Sequence, residues 1–286
     1  MPLPGGSSDK IGNRFELWWT ALCLVEVLDE CVENITIEPP GDLGDGIEFI
    51  LVRKGVTQRH QVKRQTTRGL GWSIASLRAV GVLQNIPSKI TGDSSEFHFV
   101  STMAAPELSE LSENSRQESD FDHFRSSFLA TNKRSECWNE LCGEFRRNSE
   151  RECYEILRRL HVETVSEELL RRQVLARVSA IADGPDRQVA NELVCCALDS
   201  VNTRLTPDLL WRHLDDVGFR RRGWANDPHV LAALDVSNRR FLDSRRREFF
   251  RKLFPQPLAA EISRSLSTQD ARHTLVPAPA GGAKVA

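Results

Sequence analysis

The sequence holds no C-x-x-C pair, no apolar run approaching the ~20 residues of a membrane-spanning helix, and no large excess of either charge. Each absence closes a class of function. Seven cysteines stand at positions 23, 31, 137, 142, 153, 195 and 196, an odd number, several of them inside apolar helical patterns. Such thiols are expected to be buried and unpaired in a reducing compartment. The seven histidines supply no second ligand pair at short spacing, so a zinc site of the paired-ligand kind is not expected. With 38 basic and 40 acidic residues the chain is no polycation, and any contact with nucleic acid must be a local patch. The opening residues are rich in Pro, Gly and Ser and lack the apolar centre of a secretory leader, so a cytoplasmic location is expected.

What is present is a change of hydrophobic period along 286 residues, a length comfortable for two domains. Residues 1–11 read as a flexible lead-in. Asn13 is placed to cap a helix running to about Glu33, with Phe15, Trp18, Leu22, Val25, Leu28 and Val32 at three- and four-residue steps. Glu16 falls in its first turn, off that stripe. Ile35 and Ile37 read as a short strand ending at Pro39-Pro40-Gly41. Ile47–Val52 reads as a strand closed by Lys54-Gly55, with Gln58–Lys63 as its hairpin partner. Trp72–Gln84 has helical spacing, and Phe97, Phe99 and Val100 form a further strand.

From Phe121 onward the pattern is almost wholly helical. Ser166 is placed to cap one helix, Thr206-Pro207 opens another, and Gly218 stops it. No repeat period is visible. The expected architecture is α+β, a mixed sheet flanked by helices over residues 12–120, then an all-α region over 121–268 and a tail over 269–286.

The chemistry-bearing residues cluster around the hairpin. Asp45 precedes the strand Ile47–Val52, and Gln61 and Lys63, two apart, share one face of the next strand. A carboxylate, an amide oxygen and an ammonium at one end of a sheet suit a hard divalent cation and a phosphodiester. In this reading Asp45 is the main magnesium ligand, Gln61 a neutral oxygen ligand and Lys63 the electrostatic catalyst, with Mn2+ able to substitute for Mg2+. Glu16 is a further ligand or water-positioner and Glu38 a weaker one. Glu48, on the same strand, reads equally as a ligand or as an exposed side chain.

Together, Gly12-x-x-Phe15-Glu16, Ile37-Glu38, Gly44-Asp45-Gly46-Ile47-Glu48-Phe49, His60-Gln61-Val62-Lys63-Arg64-Gln65, Trp72-Ser73 and Phe97–Thr102 resemble a bacterial double-stranded DNA endonuclease domain of the PD-(D/E)xK, restriction-endonuclease-like class. This domain stands at the N-terminus of antiphage effectors, ahead of Avs-type STAND NTPases and of SAVED sensor domains. The resemblance covers residues 12–103 well and the helical region only in outline. It implies a regulated, magnesium-dependent endonuclease, with the family's acidic ligand on Asp45, its Q-x-K pair on Gln61 and Lys63, and its helix-borne polar residue on Glu16. Where members often carry a second acidic residue beside the aspartate, this chain has Gly44 and Gly46. That departure makes Glu16 or Glu38 more necessary. It also keeps open the alternative of a catalytically inactive nuclease fold used for DNA binding or oligomerisation.

Arg59, Arg64, Gln65 and Arg68 surround the candidate site and are the expected contacts to DNA. A later basic series, Arg220–Arg222, Arg239-Arg240, Arg245–Arg247 and Arg251-Lys252, reads as a solvated helix face or as phosphate contacts. The terminal Ala278-x-x-x-x-Ala283-Lys284-Val285 resembles a degenerate phosphate-binding loop, with Ala at both Gly positions and Val in place of Ser/Thr, so no ATP binding is expected. The expected partners are double-stranded DNA and either a second copy of the chain or a sensor or NTPase domain.

Overall fold

In the computed structural model, residues 5–64, 71–92, 94–147 and 149–222 are described, with residues 5–13 and Leu43 as backbone only. Helix α1 (Gly5–Leu28) begins ahead of Asn13, which therefore lies within the helix and not at its cap. Its second half is apolar nearly all round. Ala21, Cys23, Leu24, Val25, Val27 and Leu28 are all buried, which a helix shows when it is covered on every side.

The chain then forms β1 (Asn34–Ile37), a 3-10 turn at Gly41–Leu43, β2 (Phe49–Arg53) and β3 (Val56–Lys63). Arg53 pairs with Val56, so Lys54 and Gly55 alone make the connection. Both have positive φ, 51° and 74°, as a two-residue type I′ turn requires, and glycine takes that conformation without cost from a Cβ. The run expected as one helix over Trp72–Gln84 is two, α2 (Ile74–Ala79) and α3 (Val82–Lys89), broken where Gly81 turns left-handed at φ 77°. Strand β4 (Ser95–Ser101) follows.

Beyond it come α4 (Pro106–Gln117), α5 (Phe121–His123), a π-turn at Phe124–Phe128, α6 (Asn132–Phe145) and α7 (Glu150–Arg158). Next are β5 (Leu160–Thr164), α8 (Glu167–Ile181), β6 (Ala182–Asp183) and α9 (Asp186–Asp199). The described chain closes with β7 (Arg204–Leu205), α10 (Pro207–Asp216) and β8 (Arg220–Arg221). Ser166 caps α8 as expected, its Oγ accepting from Leu169 N at 3.2 Å. Pro207 opens α10, although the Thr206 hydroxyl makes no capping bond.

Six strands form one mixed sheet in the order β5-β4-β3-β2-β1-β7; β3, β4 and β5 run parallel and the other pairs antiparallel. The fold is thus α+β, as expected. The stretch read from sequence as all-helical nevertheless supplies both edge strands, β5 and β7, along with the small β6–β8 ribbon. Its helices also share both cores. On one face α1, α8, α9 and α10 pack against Ile35, Phe49, Leu51, Val62 and Val100. On the other α2, α3, α4, α6 and α7 pack against Phe97 and Phe99. Residues on either side of position 120 are therefore joined through one sheet.

Candidate functional site

A carboxylate cleft forms where β2 begins and β3 ends. Strand register sets Phe49 opposite His60, and the Glu48 N–H donates to His60 O at 2.9 Å, so Glu48 stands across from Gln61 just ahead of β2. The Glu48 carboxylate bridges the end of β3. Its Oε2 accepts from Val62 N at 2.7 Å and its Oε1 from Lys63 Nζ at 3.0 Å. Gln61 is buried, and its Oε1 has no hydrogen-bond partner.

Helix α1 adds the third group. Trp19 Nε1 donates to Nδ1 of the buried His60 at 3.2 Å, which fastens α1 to β3. Glu16, one turn earlier, is thereby held beside the end of that strand. Glu16, Glu38 and Glu48 line one cleft with Pro39, Gly44 and Gly46. Burial, with repulsion from Glu48 and Glu38, pushes the Glu16 carboxyl up to about 7 against the opposing pull of Lys63. The Glu48 carboxyl is also raised, by burial, although the Lys63 ammonium and the Val62 N–H work the other way.

The loop carrying the Gly-Asp-Gly sequence packs tightly against Pro39 and against Asn85 of α3. A Cβ on Gly44 would stand 1.7 Å from Pro39 O, and one on Gly46, at φ 71°, would stand 1.9 Å from the Asn85 side chain. Both glycines line the cleft, whereas Asp45 between them is exposed and outside its lining. Asp45 was the carboxylate expected beside Gln61 and Lys63; it is exposed, and the carboxylate that meets Lys63 is that of Glu48. Glu48 occupies that place, because the turn at Gly44–Gly46 carries Asp45 outward and the hairpin register carries Glu48 in. Glu16 lines the cleft from α1 and Glu38 from an exposed position just after β1, while Lys63 meets Glu48 from the end of β3. The signal for Glu48 was its register, one residue ahead of a strand and opposite Gln61.

The expected DNA contacts divide three ways. Arg59 is buried, with its Nε and Nη1 out of reach of solvent and lacking partners. Arg64 is partly exposed and pairs with Glu167 at 3.2 Å, in the first turn of α8. Gln65 and Arg68 lie outside the described residues, as do the basic groups from Arg239 to Lys252 and the phosphate-loop-like tail.

The cleft offers oxygen donors, the type a hard divalent cation takes. Three carboxylates line one cleft, one of them raised mainly by burial and further by its neighbours' charge, and across the strand pair from Glu48 the oxygen of the buried Gln61 lacks a partner. No helix among the described residues is long and apolar enough to cross a membrane.

No family model matches the sequence, and no curated protein matches it. Among solved structures, an Acinetobacter baumannii Cap4 SAVED/CARF-domain containing receptor with the cyclic trinucleotide 2'3'3'-cAAA is similar at 13% identity and a TM-score of 0.40, over 70% of this chain and 44% of that one. The same receptor with 3'3'3'-cAAA is similar at 14% identity and 0.42, over 70% and 44%. A Moraxella osloensis Cap4 SAVED/CARF-domain containing receptor is similar at 10% identity and 0.42, over 72% and 48%. The chain thus spans less than half the length of the solved structures it resembles.

Proposed function

We propose that this chain is a magnesium-dependent endonuclease acting on double-stranded DNA, with Glu48, not Asp45, as the central carboxylate. One observation carries the reading. Lys63 Nζ at the end of β3 and Glu48 Oε1 just ahead of β2 meet at 3.0 Å, and Glu48 shares its cleft with the Glu16 carboxyl. Glu48, Glu16 and the Gln61 oxygen would hold the ion, with Glu38 at the rim. When bound, magnesium supplies Lewis-acid polarisation of the phosphate and an acidified water.

The chain's own groups do the rest. The Lys63 ammonium stands at the end of β3, where it can offset negative charge growing on the phosphate oxygens. A Glu16 carboxylate oxygen not turned to the ion can accept a proton from the attacking water. Arg64, once released from Glu167, can bind the DNA backbone beside the scissile phosphate. The antiphage setting, and control by assembly or by a partner domain, rest on the sequence resemblance.

One feature favours the inactive alternative. Both Glu48 oxygens already accept hydrogen bonds from within the chain. Plasmid cleavage with Mg2+ separates the two readings. Cutting that is lost with EDTA and in Lys63→Ala supports the nuclease, and DNA binding with no cutting under any condition supports the inactive module.

A further inference from the structure

A second cluster lies on the opposite face of the sheet from Gln61 and Lys63. Glu96 and His98 are two apart on β4 and share one side, and parallel pairing sets His161 of β5 directly beside His98. His98 Nε2 lies 3.4 Å from Glu96 Oε2, and His161 Nε2 lies 3.7 Å from the same oxygen. One ligand atom from each of the three residues lies within 4.8 Å of the other two. Ligand atoms around a tetrahedral zinc, at about 2.0–2.1 Å from the metal, stand about 3.4 Å apart. The three donors are therefore close to the required spacing before anything binds.

The surrounding groups are those a metal site uses. His98 Nδ1 is 2.9 Å from Glu163 Oε1, which orients the ring and leaves Nε2 facing Glu96, the carboxylate–imidazole arrangement that supports a ligating histidine. Gln58 Nε2 donates to Glu96 Oε2 at 2.8 Å and holds that carboxylate in place. His98 is buried, while Glu96 and His161 are partly exposed, so the site has both a rigid wall and an entrance.

We propose that Glu96, His98 and His161 bind a zinc-class transition-metal ion, separate from the carboxylate cleft. Two imidazoles and one carboxylate select zinc over magnesium, whose preference is for oxygen alone. Three protein ligands leave a fourth position for water, and the ion would pin edge strand β5 to β4. The His98 and His161 rings now stack at 4.5 Å with a 12° interplanar angle. His98 is held by Glu163 and by the His60 ring stacked 4.4 Å from its other face, so it is the partly exposed His161 that must turn about its Cβ–Cγ bond to aim Nε2 at the ion, a torsion that is broad in histidine. Short local spacing had argued against a zinc site; the fold supplies the third ligand from a distant strand.

The test is zinc titration of the full chain against a chromogenic chelator, after treatment with EDTA. The expected result is one tightly held equivalent in wild type and in Glu48→Gln, with binding weaker by roughly 100-fold in Glu96→Gln and in His161→Gln. Cobalt(II) loaded into wild type should give paramagnetically shifted ring N–H resonances from two histidines, a readout that needs no variant. Absence of a stoichiometric equivalent in wild type overturns the proposal. So does undiminished binding in both folded triad variants, or a cobalt spectrum without histidine signals.

Discussion

Glu48 and Lys63 face each other across the end of the β2–β3 hairpin, Oε1 to Nζ at 3.0 Å, while Asp45 is turned out to solvent. The two carboxylates therefore make opposite predictions. Glu48→Gln and Lys63→Ala should each lower magnesium-dependent plasmid cleavage by about 100-fold or more, the scale of losing one preorganised electrostatic group. Asp45→Asn should change the rate less than about threefold, since it removes a charge already exposed to water. A large loss in Asp45→Asn with near-normal cutting in Glu48→Gln would reinstate the aspartate.

Glu16 gives a dependence on pH. Its folded pKa, about 7, exceeds its ordinary value, 4.5, so the native state holds the proton more tightly than the unfolded chain. Stability from this group is complete below about pH 4.5, falls as pH climbs through the interval to about 7, and levels off above it. Denaturant unfolding of the chelator-treated protein should show this loss, and Glu16→Gln should flatten that part of the profile. Added Mg2+ should stabilise wild type more above pH 7 than below about 5, because the ion competes with the proton. An unchanged pH profile in Glu16→Gln would remove Glu16 from the cleft.

Much of the first hundred residues was legible because its signals are local. Lys54-Gly55 announces a tight hairpin and alternation marks β3; farther along the chain, Ser166 and Pro207 mark helix starts in the same local way. Register was not local. Glu48 and Asp45 are three apart in sequence, and only the fold of Gly44–Gly46 onto Pro39 and Asn85 decides which one enters the cleft. Arg59 misled because an arginine in an alternating strand reads as exposed, whereas α2 and its neighbours cover that face of the sheet. β5 and β7 were missed because they are short and lie among strong helical patterns, and pairing with β4 and β1 decides their state.

That sheet topology bears on fragments. A piece ending at residue 120 keeps β1–β4 but loses both edge strands and α8, α9 and α10, which cover α1. Buried residues such as Leu24, Phe49 and Val100 would lose part of their cover, at about 1.5–3 kcal/mol for each side chain returned to water. Residues 1–120 should give poor amide dispersion and a non-cooperative melt, and residues 1–222 a cooperative one. A cooperative melt from the shorter piece would restore a domain boundary near 120.

The loop that displaces Asp45 can be probed by comparing two glycines. Gly44 has an ordinary φ of −85°, so the obstacle to a side chain there is steric alone, the Pro39 carbonyl 1.7 Å from where Cβ would stand. That carbonyl is backbone and cannot swing aside as a long side chain would, so Gly44→Ala must push the loop outward. Gly55 is the reverse case, with φ 74° and nothing within 4 Å of the point where a methyl group would stand. Gly55→Ala should cost about 1 kcal/mol of stability through its backbone conformation and leave cleavage unchanged. Gly44→Ala should lower both the melting temperature and the cleavage rate, because Gly44 lines the cleft with Glu16 and Glu48. Equal effects of the two substitutions on cleavage, with stability matched, would mean that the Gly44–Gly46 turn does not shape the site.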